Sequence, residues 1–151
     1  MTETPIAVVI DTSVWVSAFL NPAGYPARLI ASGKDGRFAV VSSQPMLDEL
    51  QDVLRRPRIR RIRNLTHEEI DRFVAAVSDI AQLVPISGNF QLCRDPDDDI
   101  VLETAARGGA KFVVSRDEDI TRDRDLAERL RQHGIEAVTV RRLLELLEIG
   151  Q

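Results

Sequence analysis

Residues 6–13 read Ile6-Ala7-Val8-Val9-Ile10-Asp11-Thr12-Ser13. The five apolar residues, mostly β-branched, predict a strand buried on both faces, the kind found in parallel sheets covered by helices. Thr12 or Ser13 is placed to cap a helix running through Trp15 and Phe19. Asp11 therefore stands where a buried strand gives way to a helix. Further along, Asn21–Pro26 reads as a turn, and a helix from about Ala27 to Ser32 ends at Gly33 or Gly36. Phe38–Val41 predicts a second strand. Met46, Leu47, Leu50, Val53 and Leu54 then keep helical spacing from Pro45 up to Pro57. After an arginine-rich connection, Thr66-x-x-Glu69 is a capping box that opens a helix carrying Ile70, Phe73, Val74, Val77 and Ile80 on one face. Leu83–Ile86 reads as a short or edge strand because it contains Pro85. A helix with Ile100, Val101, Leu102, Ala105 and Ala106 follows and stops at Gly108-Gly109. Lys111–Ser115 is another buried strand. A helix around Leu126–Leu130, a strand Ala137–Val140 and a terminal helix Arg141–Glu148 complete the chain. Strands alternating with helices predict an α/β fold with a mostly parallel sheet of four to five strands and helices on both faces.

The length of 151 residues fits a single domain, residues 1–151 with a core of about 6–147. Apolar residues make up 44%, too many for a disordered chain. No apolar run approaches the ~20 residues of a membrane helix. MTETPIA carries no basic stretch of the secretory kind, so the expected compartment is the cytoplasm. The single cysteine, Cys93, excludes an internal disulfide framework and a cysteine-rich zinc site. The two histidines, His67 and His133, stand apart from any serine or cysteine motif, which argues against triad chemistry. A net charge of −4 argues against nucleic-acid binding by bulk charge, though a local basic stripe beside an acidic site is compatible with it.

Carboxylates are then the chemical equipment to look for. Asp11 follows the first strand and Asp117 the fourth, and in an open parallel sheet those strand ends face one ligand-binding crevice. Asp98 and Asp99 start the helix that leads into the Asp117 strand. Glu49 lies on the helix after the second strand. Each acid also has an ordinary role open to it: Asp11, Asp117 and Asp119 as turn or cap residues, Asp95–Asp99 at a helix N-terminus, Glu49 on a solvated face. Their joint placement on one edge favours chemistry. Crowded carboxylates raise one another's pKa, and a hard cation removes that cost. All-oxygen ligands suit Mg²⁺ or Mn²⁺. Such an ion activates water and steadies a phosphate, which predicts phosphodiester hydrolysis.

Three stretches, AVVIDTSVWVSAFLNPAGYPARLI, PMLDELQDVLRRPRI and CRDPDDDIVLETAARGGAKFVVSRDEDI, resemble the PIN domain, in particular the toxin components of bacterial toxin–antitoxin systems. The resemblance spans roughly Ala7 to Leu147. It implies a three-layer α/β/α nuclease fold and cleavage of RNA with Mg²⁺ or Mn²⁺. It places the family's acids on Asp11, Glu49, Asp99 and Asp117, with Asp95 or Asp98 as substitutes for Asp99 and Asp119 as an assistant. The hydroxyl residue that usually follows the first acid falls on Thr12 or Ser13, and Ser13 stands where many relatives carry asparagine. It also implies an antitoxin partner.

Six arginines fall within residues 55–63: Arg55, Arg56, Arg58, Arg60, Arg61 and Arg63. They read equally as an RNA-backbone clamp at the mouth of the acidic site and as a solvated loop paired with nearby acids. Trp15 and Phe19, one helical turn apart, read as core or dimer contacts. The leucines 143, 144, 146 and 147 are spread too widely for one stripe, and a homodimer is the expectation. Two other functions compete. A haloacid-dehalogenase-like phosphatase also carries an aspartate after its first strand, but it wants an acid where Ser13 stands. A non-catalytic PIN-like module that binds RNA or protein is the other.

Overall fold

The computed structural model describes residues 5–116 and 123–149. The described chain runs β1 (Ala7–Ile10), α1 (Thr12–Leu20), α2 (Tyr25–Lys34), β2 (Ala39–Ser42), α3 (Gln44–Arg55), α4 (Pro57–Arg63), α5 (His67–Ile80), β3 (Gln82–Leu83), α6 (Pro96–Arg107), β4 (Phe112–Ser115), α7 (Arg124–Gln132), β5 (Glu136–Thr139) and α8 (Val140–Ile149). All strand pairings are parallel, in the order β3-β2-β1-β4-β5. Val9 pairs in register with Val41 on one side and Val113 on the other.

Alternation along these strands explains why they read as unbroken apolar runs. Val8, Ile10, Val40, Phe112 and Val114 enter one core cluster with Trp15, Leu29, Leu50, Ile70 and Leu143, from α1, α2, α3, α5 and α8. Val9, Val41 and Val113 enter a second with Val101, Leu102, Ala105 and Leu130, from α6 and α7. β1, β2, β4 and β5 each feed both faces, while the two residues of the edge strand β3 are exposed, and the result is an α/β/α sandwich of one domain. Trp15 is core, as its spacing suggested. Leu143 is fully buried, and Leu144, Leu146 and Leu147 pack against the same cluster. Among the described residues no helix is long and apolar enough to cross a membrane.

Helix α2 begins at Tyr25, inside the expected turn, and Val140 opens α8 rather than ending β5; two further departures are larger. The arginine-rich connection is not a loop but helix α4. Pro57 supplies the preset φ of a first helical turn, and Asn64 closes the helix in the left-handed region at φ 51°. Six guanidinium groups had masked the apolar pair Ile59 and Ile62. The edge strand is also shorter than expected. Pairing runs through Gln82 and Leu83, and Val84 adds one amide bond to the Ser42 carbonyl. Pro85 has no N–H to continue it.

Helix α6 approaches the sheet closely because of Gly108. A Cβ built there would lie 2.4 Å from Cγ1 of Val41 and 3.0 Å from the Thr104 carbonyl oxygen. A buried hydroxyl pair fixes the same approach. The Thr104 hydroxyl donates to the Ile100 carbonyl, so Ser43 Oγ is the donor in the 2.8 Å bond between them. Gly108→Ala is expected to cost about 1–3 kcal/mol through overpacking against β2, read as a lower urea midpoint at unchanged slope.

The order of strands sets the site. From β1 the chain moves outward to β2 and β3, then crosses back to lay β4 against the other side of β1. The carboxyl ends of β1 and β4 therefore flank a topological switch point, where open α/β sheets bind ligands.

Candidate metal centre

Asp11 extends the β1 ladder by one residue: its N–H donates to the Val114 carbonyl at 2.9 Å. Its own carbonyl accepts from Val14 at 3.0 Å and starts α1. Its carboxylate makes no capping bond to that helix. The side chain is left at the sheet edge, where Oδ2 accepts from Ser13 Oγ at 3.1 Å. Glu49 arrives from α3, and its Oε2 accepts from the buried Thr12 hydroxyl at 2.9 Å across 37 positions of sequence. Thr12 and Ser13 thus each orient one carboxylate.

The acidic run before α6 separates by helix geometry, since consecutive residues point about 100° apart at 3.6 residues per turn. Asp95 is the N-cap, its Oδ1 accepting from the Asp97 amide at 2.9 Å. Asp99 turns toward the preceding loop. Its Oδ1 accepts from the amides of Leu92 at 3.0 Å and Cys93 at 2.8 Å. Burial pushes the Asp99 pKa up, but those amide bonds outweigh it and hold the carboxyl below its usual range. Asp98 turns the other way. It lines a small cavity of about 60 Å³ with Asp11, Asp123 and Ser115. Burial, then the hydrogen bond and charge of Asp123, then the charges of Asp95 and Asp11, push its pKa up to about 8.

Of the acids expected from the sequence, the structure brings Asp11 and Glu49 to one edge. It adds Asp98 to Asp11 rather than Asp99, whose carboxylate is turned onto loop amides. Asp117 and Asp119 lie outside the described residues. Asp123, at the N-cap of α7, accepts from the Leu126 amide at 3.1 Å and was not singled out from the sequence. It had a signal available: an acid just ahead of the helically spaced Leu126 and Leu130, in the same connection as Asp117. Among the described residues no three His, Cys, Asp or Glu side chains stand close enough to hold an ion as they lie. The donor chemistry nonetheless fits a hard divalent ion. Every donor is a carboxylate oxygen, and Asp98 sits among like charges that a cation would relieve.

The arginine run resolves residue by residue. Arg55 pairs with Asp71 at 2.8 Å and Arg56 with Asp52 at 3.4 Å. Arg60 donates to the Leu65 carbonyl at 3.3 Å. Arg63 donates to the Phe19 carbonyl and lies over the Phe19 ring. Arg58 lines the cavity that also contains Asp11 and Glu49. Burial, followed by Asp99, pushes the Cys93 thiol up to about 12, which disfavours the thiolate form. Both histidines are exposed.

Residues 7–119 match the family described as PIN domain. An uncharacterized protein of Methanocaldococcus jannaschii is 27% identical over 135 residues, which cover 89% of this chain and 86% of that protein.

Proposed function

This chain belongs to the PIN domain family, and from that premise we propose that it is an endoribonuclease that hydrolyses RNA phosphodiester bonds with Mg²⁺ or Mn²⁺. The observation that carries the reading is that Asp11, Asp98 and Asp123, from three segments, line one small cavity at the switch point between β1 and β4. Asp11, Asp98, Asp123 and Glu49 would hold the ion, with Asp117 assigned by resemblance and Asp119 as its assistant. Asp99 keeps the loop before α6 in place. A bound divalent ion supplies Lewis acidity and a nucleophile at neutral pH. The chain's part is orientation. The β-ladder bond fixes Asp11, Ser13 aims its carboxylate, and Thr12 holds Glu49 against the same edge. Membership of the PIN family sets the phosphatase alternative aside.

The test is a labelled single-stranded RNA incubated with the protein in Mg²⁺, in EDTA, and with Asp11→Asn. Cleavage is expected in the first case alone. Cleavage that survives chelation would contradict the metal requirement. The toxin role, with the cytoplasm as compartment, carries the further expectation of a small antitoxin that co-purifies with the chain and silences it. Sedimentation equilibrium of the purified chain tests the expected homodimer.

A further inference from the structure

The acid cluster opens into a groove far larger than a metal ion requires. Its volume is about 650 Å³, Asp11, Glu49 and Asp123 are among its lining residues, and α1, α3 and α4 supply most of its wall. That wall is aliphatic: Val16 and Leu20 from α1, Val53 from α3, Ile59 and Ile62 from α4. Ile62 is 59% exposed, an isoleucine facing solvent beside a charged site. Two cations, Arg58 and Arg116, share the lining. Arg58 differs from Arg55, Arg56, Arg60 and Arg63, all of which bond back to the protein. Among the described residues it has no hydrogen-bond or ion-pair partner.

We propose that this groove seats one unstacked nucleobase beside the scissile phosphate, against Val16, Leu20, Ile59 and Ile62, with Arg58 on the neighbouring phosphate. The inference rests on the nuclease reading and deepens it. An aliphatic wall offers nothing to a phosphate, but it suits the apolar face of a base, for which burial is favourable whatever the sequence. The volume is within the range that holds a small ligand. A base inside an A-form duplex is stacked and paired and presents no free face to such a wall. The groove shares its acids with the metal centre, so an occupant reaches both at once. The Arg58 guanidinium in its lining complements a polyanion.

The test uses the full chain and a fluorescein-labelled, randomised 12-nucleotide RNA, with Ca²⁺ in place of Mg²⁺ to slow cutting, read by fluorescence anisotropy. Ile62→Ser alters an exposed side chain and is compared with Ile62→Leu. Ile62→Ser is expected to weaken binding on the order of tenfold at an unchanged salt slope, from the loss of one base contact. Ile62→Leu is expected to bind like wild type. Arg58→Ala is expected to weaken binding and lower the salt slope by about one. A duplex of the same length is expected to compete poorly. The subsite is overturned if Ile62→Ser binds as tightly as wild type, as it would were the groove built for a protein segment, or if duplex and single strand compete equally. Wild-type protein that binds no RNA would end the nuclease reading and the subsite with it, whereas RNA cleavage untouched by both substitutions removes the subsite alone.

Discussion

Asp98→Asn is expected to lower RNA cleavage on the order of a thousandfold, about 4 kcal/mol of barrier at 1.36 kcal/mol per decade, with the chain as stable as wild type or more so. Asp99→Asn is expected to do the opposite. The two side chains are neighbours in sequence and the same in chemistry, so only their surroundings separate them. Asp98 is half-buried among Asp11, Asp95 and Asp123, and burial with those like charges drives its pKa up. Removing its charge relieves that crowding and takes a donor from the site. Asp99 is buried, and its Oδ1 accepts from the Leu92 and Cys93 amides. An asparagine there keeps an acceptor but loses its charge. Charge-assisted bonds stabilise more than neutral ones, so about 1–3 kcal/mol of stability should disappear while cleavage stays within about tenfold of wild type. Initial rates with Mg²⁺, paired with urea unfolding of the same preparations, decide between the two. If Asp99→Asn kills cleavage and Asp98→Asn does not, the third ligand is Asp99 after all.

The largest stability effect is expected at Glu103. This glutamate on α6 is 1% exposed. One oxygen accepts from the Ser87 amide at 2.7 Å and the Ser87 hydroxyl at 2.9 Å. The other accepts from the Gly88 amide at 2.9 Å, and Arg107 pairs with the carboxylate one turn along. Gly88 supplies the φ of 77° that lets its amide point inward. Burial pushes the Glu103 pKa up, but the Ser87, Arg107 and Gly88 bonds outweigh it and bring it down to about 2 from 4.5. The folded pKa is therefore below the unfolded one. The stabilisation is complete above about pH 4.5 and is lost as pH falls through the interval down to about 2. The shift corresponds to about 3 kcal/mol at 1.36 kcal/mol per unit. Glu103→Gln should lose most of that at pH 7, and the gap to wild type should narrow from pH 4.5 downward. Glu103→Ala should lose more, because it leaves buried amides without partners. Unfolding midpoints across pH check both. A gap between wild type and Glu103→Gln that stays constant down to pH 2 would contradict the assignment.

Glu103 and Asp99 share one task. Both hold the loop between β3 and α6 with carboxylates, while Val101, Leu102 and Ala105 seat α6 on the sheet; in that orientation Asp98 rather than Asp99 lines the cavity with Asp11. This is why the sequence was legible at one level and not at the next. The strands were readable because parallel strands buried on both faces must be apolar throughout, and Val8, Val9, Ile10, Val113 and Val114 satisfy that with no outside information. Asp11 was readable because a strand end at a sheet's carboxyl edge is a place and not a guess about rotation. The choice within Asp95–Asp99 was not readable. One residue of rotation separates a side chain facing the site from one facing the loop, and in a run of four aspartates over five residues no change of residue type marks which is which. Helix α4 was hidden for a related reason: Arg58, Arg60, Arg61 and Arg63 look like a solvated run until Ile59 is seen packed against the core cluster that holds Trp15, Leu50 and Leu54. Asp123 is not legible as a site residue because a helix N-cap explains it sufficiently when it is read alone.

The central claim is that carboxylates from separate segments hold a divalent cation at the switch point. Isothermal titration of Mn²⁺ into wild-type protein and into Asp98→Asn, with folding confirmed by circular dichroism, tests it most directly. Saturable uptake by wild type that is lost or strongly weakened in the variant is the predicted result. Equal uptake by both, or none by wild type, would contradict it.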